Sequence, residues 1–234
     1  MRRLGPLYGG AVALVHSTPW RWPDSIGNEA RSSFWVVLLG VPIGVVAWVA
    51  AALIDAAGMP PAIGALVGLA VLSLASAALV ERGLVERIDG SHSMAPSVTA
   101  ILVLVFSTLI RAAAIVAVAP AAWVGVFVTT ALVGRWAAVF LQALGDPILD
   151  DDAERSLVAT PAPAWLTAVL SAGVAAIAVI ALGKAGIVAL AVTAAIAFGL
   201  GLDAQRRERG LSSPVVAAAA AVGELVVLLV ATLA

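Results

Sequence analysis

The chain has 234 residues, 62% of them hydrophobic and only 12% charged, with a formal net charge of −1 and no cysteine. Soluble domains carry roughly 25% charged residues, so the composition excludes one. It also excludes disulfides and thiolate-bound metal, and without a basic tract it points away from nucleic acid and towards membrane lipid.

The N-terminus, Met1-Arg-Arg3 followed by Leu4 to Val15, mimics the charged and apolar regions of a signal peptide. No small-x-small cleavage site follows, so the segment is expected to be retained. It is too short to span. With Trp20 and Trp22 behind it, it reads as a short interfacial or half-inserted helix. Beyond it lie long charge-free runs: Phe34 to Ile54, Pro61 to Val80 and Ser156 to Gly183. A helix needs about 20 apolar residues to cross the hydrocarbon, and backbone groups in lipid must pair internally. The sequence therefore predicts one all-α membrane domain over 1–234, a polytopic transmembrane helical bundle of about seven spans (six to seven). The predicted spans are 34–54, 62–80, 98–118, 121–144, 164–182, 185–202 and 214–233.

Each break has a local reason in the sequence. Gly58-Met-Pro-Pro61 stops the first span, and Pro120 turns the chain between the third and fourth. Gly183-Lys-Ala-Gly186 separates the fifth and sixth. Ser213 and Pro214 open the last, as N-cap and first helical residue. Alternating the loops from a cytoplasmic N-terminus puts ten arginines inside and only Lys184 outside, with Arg111 and Arg135 inside spans. By the positive-inside rule, the polar loops are cytoplasmic and the C-terminus is outside. The setting implied is a prokaryotic plasma membrane.

Three ionisable residues fall within spans: Arg111, Arg135 and Glu224. An unpaired charge there costs at least about 2.5–3.5 kcal/mol on insertion scales, so such residues pair or face water. At 1.5 Å per residue, Arg135 and Glu224 lie roughly 15 Å deep and Arg111 roughly 20 Å. Glu224 is expected to pair with Arg135 or with Arg111, either as a helix-pinning salt bridge or as part of a phosphate site.

Between the second and third spans lies a charged island, Val80 to Ser91, holding Glu81, Arg82, Glu86, Arg87 and Asp89. Glu86 and Asp89 are three apart and would share one face of a helix. Such a pair can hold Mg²⁺ together with a bound phosphate. The alternative is a solvated connection between spans. A second acidic group, Asp146, Asp150-Asp-Asp152 and Glu154, reads as a solvated loop, and Asp203 to Gly210 reads as the basic anchor of the sixth span. His16 and His92 lack the i,i+4 partner of a zinc helix motif and read as interfacial polar residues.

Several of these stretches carry a resemblance. Leu14-Val-His-Ser-Thr-Pro19 precedes the first span, and Phe34-Trp-Val-Val-Leu-Leu-Gly-Val-Pro-Ile-Gly44 combines an aromatic pair with spaced glycines. Gly134-Arg-Trp-Ala137 lies mid-chain, Arg111 is a basic residue in the third span, and Gly210-Leu-Ser-Ser-Pro214 precedes Glu224-Leu225 by ten residues. Together they resemble the cobalamin synthase family, the integral-membrane adenosylcobinamide-GDP ribazoletransferases. The family's acidic motif, His-x-Asp-Gly-x-x-Asp-x-x-Asp-Gly, aligns with Val80 at the His, with Arg82, Glu86 and Asp89 at the three Asp, and with Gly83 and Gly90 at the two Gly. In a second alignment, Asp89-Gly-Ser91 falls on a later family motif. Pro214 stands where the family has its C-terminal Asp.

The resemblance implies a Mg-dependent transfer of α-ribazole onto adenosylcobinamide-GDP with release of GMP. It implies Glu86 and Asp89 as Mg²⁺ ligands, Arg111 and Arg135 as substrate-binding residues, and Glu224 as the group that orients Arg135. Asp89, Arg135 and Glu224 are thus the expected catalytic set, with a corrinoid and α-ribazole as ligands. Two other readings stay open: a non-catalytic paralogue serving as a binding or partner subunit, within an oligomer or with another chain, and a small transporter. The buried Arg111, Arg135 and Glu224 motivate the transporter reading. Against it, the sequence shows neither paired broken helices nor internal symmetry.

Overall fold

The computed structural model describes residues 32–89, 95–146, 148 and 163–233. The N-terminal segment with His16, Trp20 and Trp22, the island's end at Gly90 to His92, and the run containing Asp150 to Arg155 lie outside the described residues. Within them the chain is helical: α1 (Ser32–Leu38), α2 (Gly40–Ala56), α3 (Pro61–Ala75), α4 (Leu79–Asp89), α5 (Val98–Ala117), α6 (Trp123–Gln142), α7 (Ala164–Leu182), α8 (Lys184–Glu208) and α9 (Ser213–Ala231), with a 3₁₀ turn at Pro120–Ala122.

Among the described residues, six spans are long and apolar enough to cross a membrane, with α1 and α2 counted as one (Ser33–Ala56), or up to seven if the bent pair α3–α4 counts as one more. The protein is an all-α polytopic membrane bundle. Two helices form its centre. In α6 and α9, 78% of the most apolar window is buried, against 22–33% in the other candidate spans. The others therefore surround them and turn one face outward, as α5 does with Ile101, Val105, Phe106 and Leu109.

Lipid tails are as apolar as leucine, so helices in a membrane associate through close packing, and small residues permit it. Gly40 and Gly44, one turn apart on α2, face the α6 backbone. A Cβ at Gly44 would stand 2.5 Å from the Cα of Val128. Gly134 of α6 and Gly223 of α9 meet the same way, a Cβ at Gly223 falling 3.1 Å from the Gly134 Cα. At the start of α9 the alanines from Ala217 to Ala221 are buried, and Ala217 receives Gly83 of α4.

Most predicted spans match helices within a few residues. The sixth runs on to Glu208, and α9 takes Ser212 rather than Ser213 as its N-cap residue. The Ser212 hydroxyl is spent on Glu208, 2.7 Å away. The second span is a correction. The helix expected over 62–80 ends at Ala75, and the charged island, open to reading as a solvated connection, is the helix α4, bent by 65° from α3. The broken pair, which the sequence did not reveal, has a definite cause. Ala78 N–H donates to Ser73 O and Ala77 N–H to Leu74 O, the paired bonds that close a helix in a Schellman motif. Ala77 and Ala78 adopt φ of 53° and 52° to make it. The end of α2 is closed by the same two bonds, from Gly58 and Met59, with Gly58 at φ 78°. Glycine advertises that stop in the sequence; alanine hides the other.

Candidate functional site

The break between α3 and α4 brings charges into the bundle. Glu81 stands in the first turn of α4, where a carboxylate also suits the helix dipole. Its Oε1 accepts from Ser73 Oγ at 2.7 Å and from Arg111 Nη1 at 2.8 Å. Arg111, the one charged residue of α5, donates its other arm, Nη2, to Glu224 Oε2 at 2.5 Å. Glu224 rises from α9 beside Gly134, where a Cβ would come within 2.6 Å of the Glu224 Cγ. A larger residue at 134 would displace that carboxylate. The pairing expected of Glu224 is therefore made with Arg111, which Glu81 shares.

Arg135 completes the group from α6. It lies within electrostatic range of Glu224, as do Arg111 and Glu81. Among the described residues its hydrogen bonds, however, go only to neutral acceptors: Nη2 to Ser76 Oγ at 2.9 Å and Nη1 to the Ala131 carbonyl at 3.1 Å. No carboxylate among the described residues lies within ion-pair distance of it. Glu224 thus orients Arg111 by direct hydrogen bond, whereas Arg135 is held by Ser76, at the helix break, and by its own helix. Arg111, Arg135 and Glu224 are each only 2% exposed. The Nε atoms of both arginines and Oε2 of Glu81 are buried without a partner. Two guanidinium and two carboxylate groups make the node electrically neutral, as burial in hydrocarbon demands.

The chain matches the CobS family, described as cobalamin-5-phosphate synthase, over residues 11–232. It belongs to that family. No curated protein and no solved structure matches it. As a cobalamin synthase family member, it is an integral-membrane protein of cobalamin biosynthesis, in the assembly of the nucleotide loop.

The stretch of this family member that resembles the acidic motif lies on α4, and its carboxylates have other partners. Glu86 pairs with Arg82 one turn earlier at 3.6 Å. Asp89 accepts from the Ser97 backbone N–H at 2.6 Å and from Ser97 Oγ at 2.5 Å, while Ser97 caps α5 by accepting from Ala100 N–H. Asp89 thereby ties the end of α4 to the start of α5. Among the described residues, no three His, Cys, Asp or Glu side chains gather as a metal site would require. As they stand, Glu86 and Asp89 do not make a metal seat of their own.

Arg87 instead reaches α8, with Nη1 on Glu208 Oε1 at 2.8 Å and Nη2 on Asp203 Oδ2 at 3.1 Å. Asp203 also receives Arg207. The basic anchor of the sixth span is thus also the clamp for the outer end of α4. Sequence reasoning found Arg111, Arg135 and Glu224 because each interrupts an apolar run. It missed Ser73, Ser76 and the half-buried place that Glu81 takes in the node. The available signal was position: Glu81 is the first charge after the run from Pro61 to Val80, close enough to be drawn in.

Proposed function

We propose that this cobalamin synthase family member transfers α-ribazole onto adenosylcobinamide-GDP. The observation that carries the reading, beside family membership, is Arg135: a guanidinium buried at the centre of the bundle, with neutral hydrogen-bond partners and an unpartnered Nε. A cation so placed is suited to meet a phosphoryl oxygen, and phosphoryl transfer depends chiefly on positioning and charge stabilisation.

In the reaction, an α-ribazole hydroxyl oxygen bonds to the phosphorus attached to the cobinamide. The bond from that phosphorus to the bridging oxygen breaks, GMP leaves with the electron pair, and the hydroxyl proton is released. An acceptor carrying a 5′-phosphate would give cobalamin 5′-phosphate, the product in the family's description. Arg135 would hold an oxygen of the diphosphate, and Arg111, with its two arms on Glu81 and Glu224, would line the site without gripping the phosphate. Glu86 and Asp89, which make no metal seat of their own, would hold Mg²⁺ only with a diphosphate oxygen as a further ligand, and Asp89 would have to give up Ser97 for it. On the positive-inside rule the α4 side of the node would face the cytoplasm of a prokaryotic plasma membrane.

The test is turnover by the purified full chain in lipid nanodiscs. Adenosylcobinamide-GDP is supplied with α-ribazole or its 5′-phosphate, in Mg²⁺ or in excess chelator. GMP release with either acceptor is expected, abolished by chelator and by Arg135→Ala. No release while the corrinoid still binds would replace this reading with the non-catalytic binding subunit. Release that persists in chelator would remove the Mg²⁺ assignment.

A further inference from the structure

Glu81 touches no substrate in the proposed transfer, yet its surroundings are specific. One oxygen joins three elements: Ser73 at the end of α3, its own helix α4 beyond the break, and Arg111 on α5. Its other oxygen is buried and unpartnered. Arg111 has one arm on Glu81 and the other on Glu224, so two carboxylates share one cation. Counted alone, that string carries one negative charge, which Arg135 alone offsets. If Glu81 were neutral, the node would carry one net positive charge at a depth where water screens little.

We propose that Glu81 is a positioning residue that sets the charge of the Arg111–Arg135 site. By occupying one arm of Arg111 it keeps an incoming phosphate from being gripped by both guanidinium groups. The ligand is an oxyanion of a phosphate ester, whether the diphosphate of the substrate or the phosphate of departing GMP. Binding the ground state and the product too tightly does not accelerate the reaction. A neutral node holds the anion through Arg135 and lets GMP leave.

The inference rests on the phosphoryl-transfer reading of this site, and a binding measurement separates the two. Glu81→Gln keeps a side-chain oxygen for Ser73 and Arg111 but removes the charge. GMP and inorganic pyrophosphate are titrated into the full-length wild type and into Glu81→Gln in nanodiscs, by calorimetry. Both probes should bind Glu81→Gln about tenfold or more tightly, the scale expected for one uncompensated charge in a poorly screened site. Where turnover is present, KM and kcat for adenosylcobinamide-GDP should fall together, with stronger inhibition by GMP. Ser73→Ala separates the structural part of the role: it removes one hydrogen bond and keeps the charge, so it should lower thermal stability and leave anion affinity unchanged. Equal affinity in wild type and Glu81→Gln, or no binding to either, overturns the proposal. Tighter binding to Glu81→Gln without turnover in the wild type upholds it and counts against catalysis.

Discussion

At the scale of single residues, the buried node ranks its members by what each would strand. Among the described residues Glu224 is the sole acceptor for Arg111 Nη2, and it is a near neighbour of Arg135, so Glu224→Ala leaves excess positive charge in the bundle. Breaking one side of a buried pair typically costs about 3–5 kcal/mol. Arg135→Ala also leaves one net charge, a negative one, but it breaks no ion pair, freeing a hydroxyl and a backbone carbonyl. The excess charge can rest on Glu81, whose side chain is 20% exposed, so this variant should cost less. Thermal unfolding of the purified variants in one detergent checks this order, and a larger loss for Arg135→Ala would refute the assignment of partners. The same residues show what sequence reading can reach. A charge inside an apolar run is conspicuous, so Arg111, Arg135 and Glu224 were legible, and so was the need for a pair. Which arginine takes Glu224 was not, because depth estimates from helix rise ignore tilt and the reach of a long side chain. Glu81 was hidden for another reason: Arg82, Glu86 and Arg87 follow it closely and make the whole stretch look solvated.

At the scale of elements, the broken span turns on two alanines in the left-handed region. That conformation costs a non-glycine residue roughly 1–2 kcal/mol. The end of α2 achieves the same closure without that cost by using Gly58. Ala77→Gly should therefore stabilise the protein, by about 1 kcal/mol at most after the extra entropy of the unfolded chain is subtracted. A raised midpoint in thermal unfolding is expected; a lowered one would mean that the bend is not adopted. Helix existence was readable from the charge-free runs, because length alone decides it in a membrane. The break was not readable, because Ser76-Ala-Ala78 contains none of the residues that usually punctuate helices. Its geometry is instead imposed by the ends of α4, with Glu81 on Arg111 at one end and Arg87 on Asp203 and Glu208 at the other.

At the scale of the whole molecule, the remaining question is which way the bundle faces. Ten arginines against one lysine is a strong bias, and the folded helices give it two convenient markers. Lys184 opens α8 directly after the turn at Gly183, and Arg206 stands in the last turn of the same helix. Both are exposed, and the chain has no cysteine of its own. The span between them is about 33 Å at 1.5 Å per residue, enough to put the two on opposite faces of the hydrocarbon. Lys184→Cys removes the one positive charge assigned outside, and Arg206→Cys leaves nine arginines inside, so neither substitution should reverse the bias. In intact spheroplasts, a membrane-impermeant maleimide should label Lys184→Cys at once and Arg206→Cys only after permeabilisation. The opposite pattern would invert the molecule and move the α4 clamp, and with it the approach to Arg111, Arg135 and Glu224, to the outer face. Nucleotide substrates made in the cytoplasm could not then reach the node, and the transferase proposal would fall with the orientation.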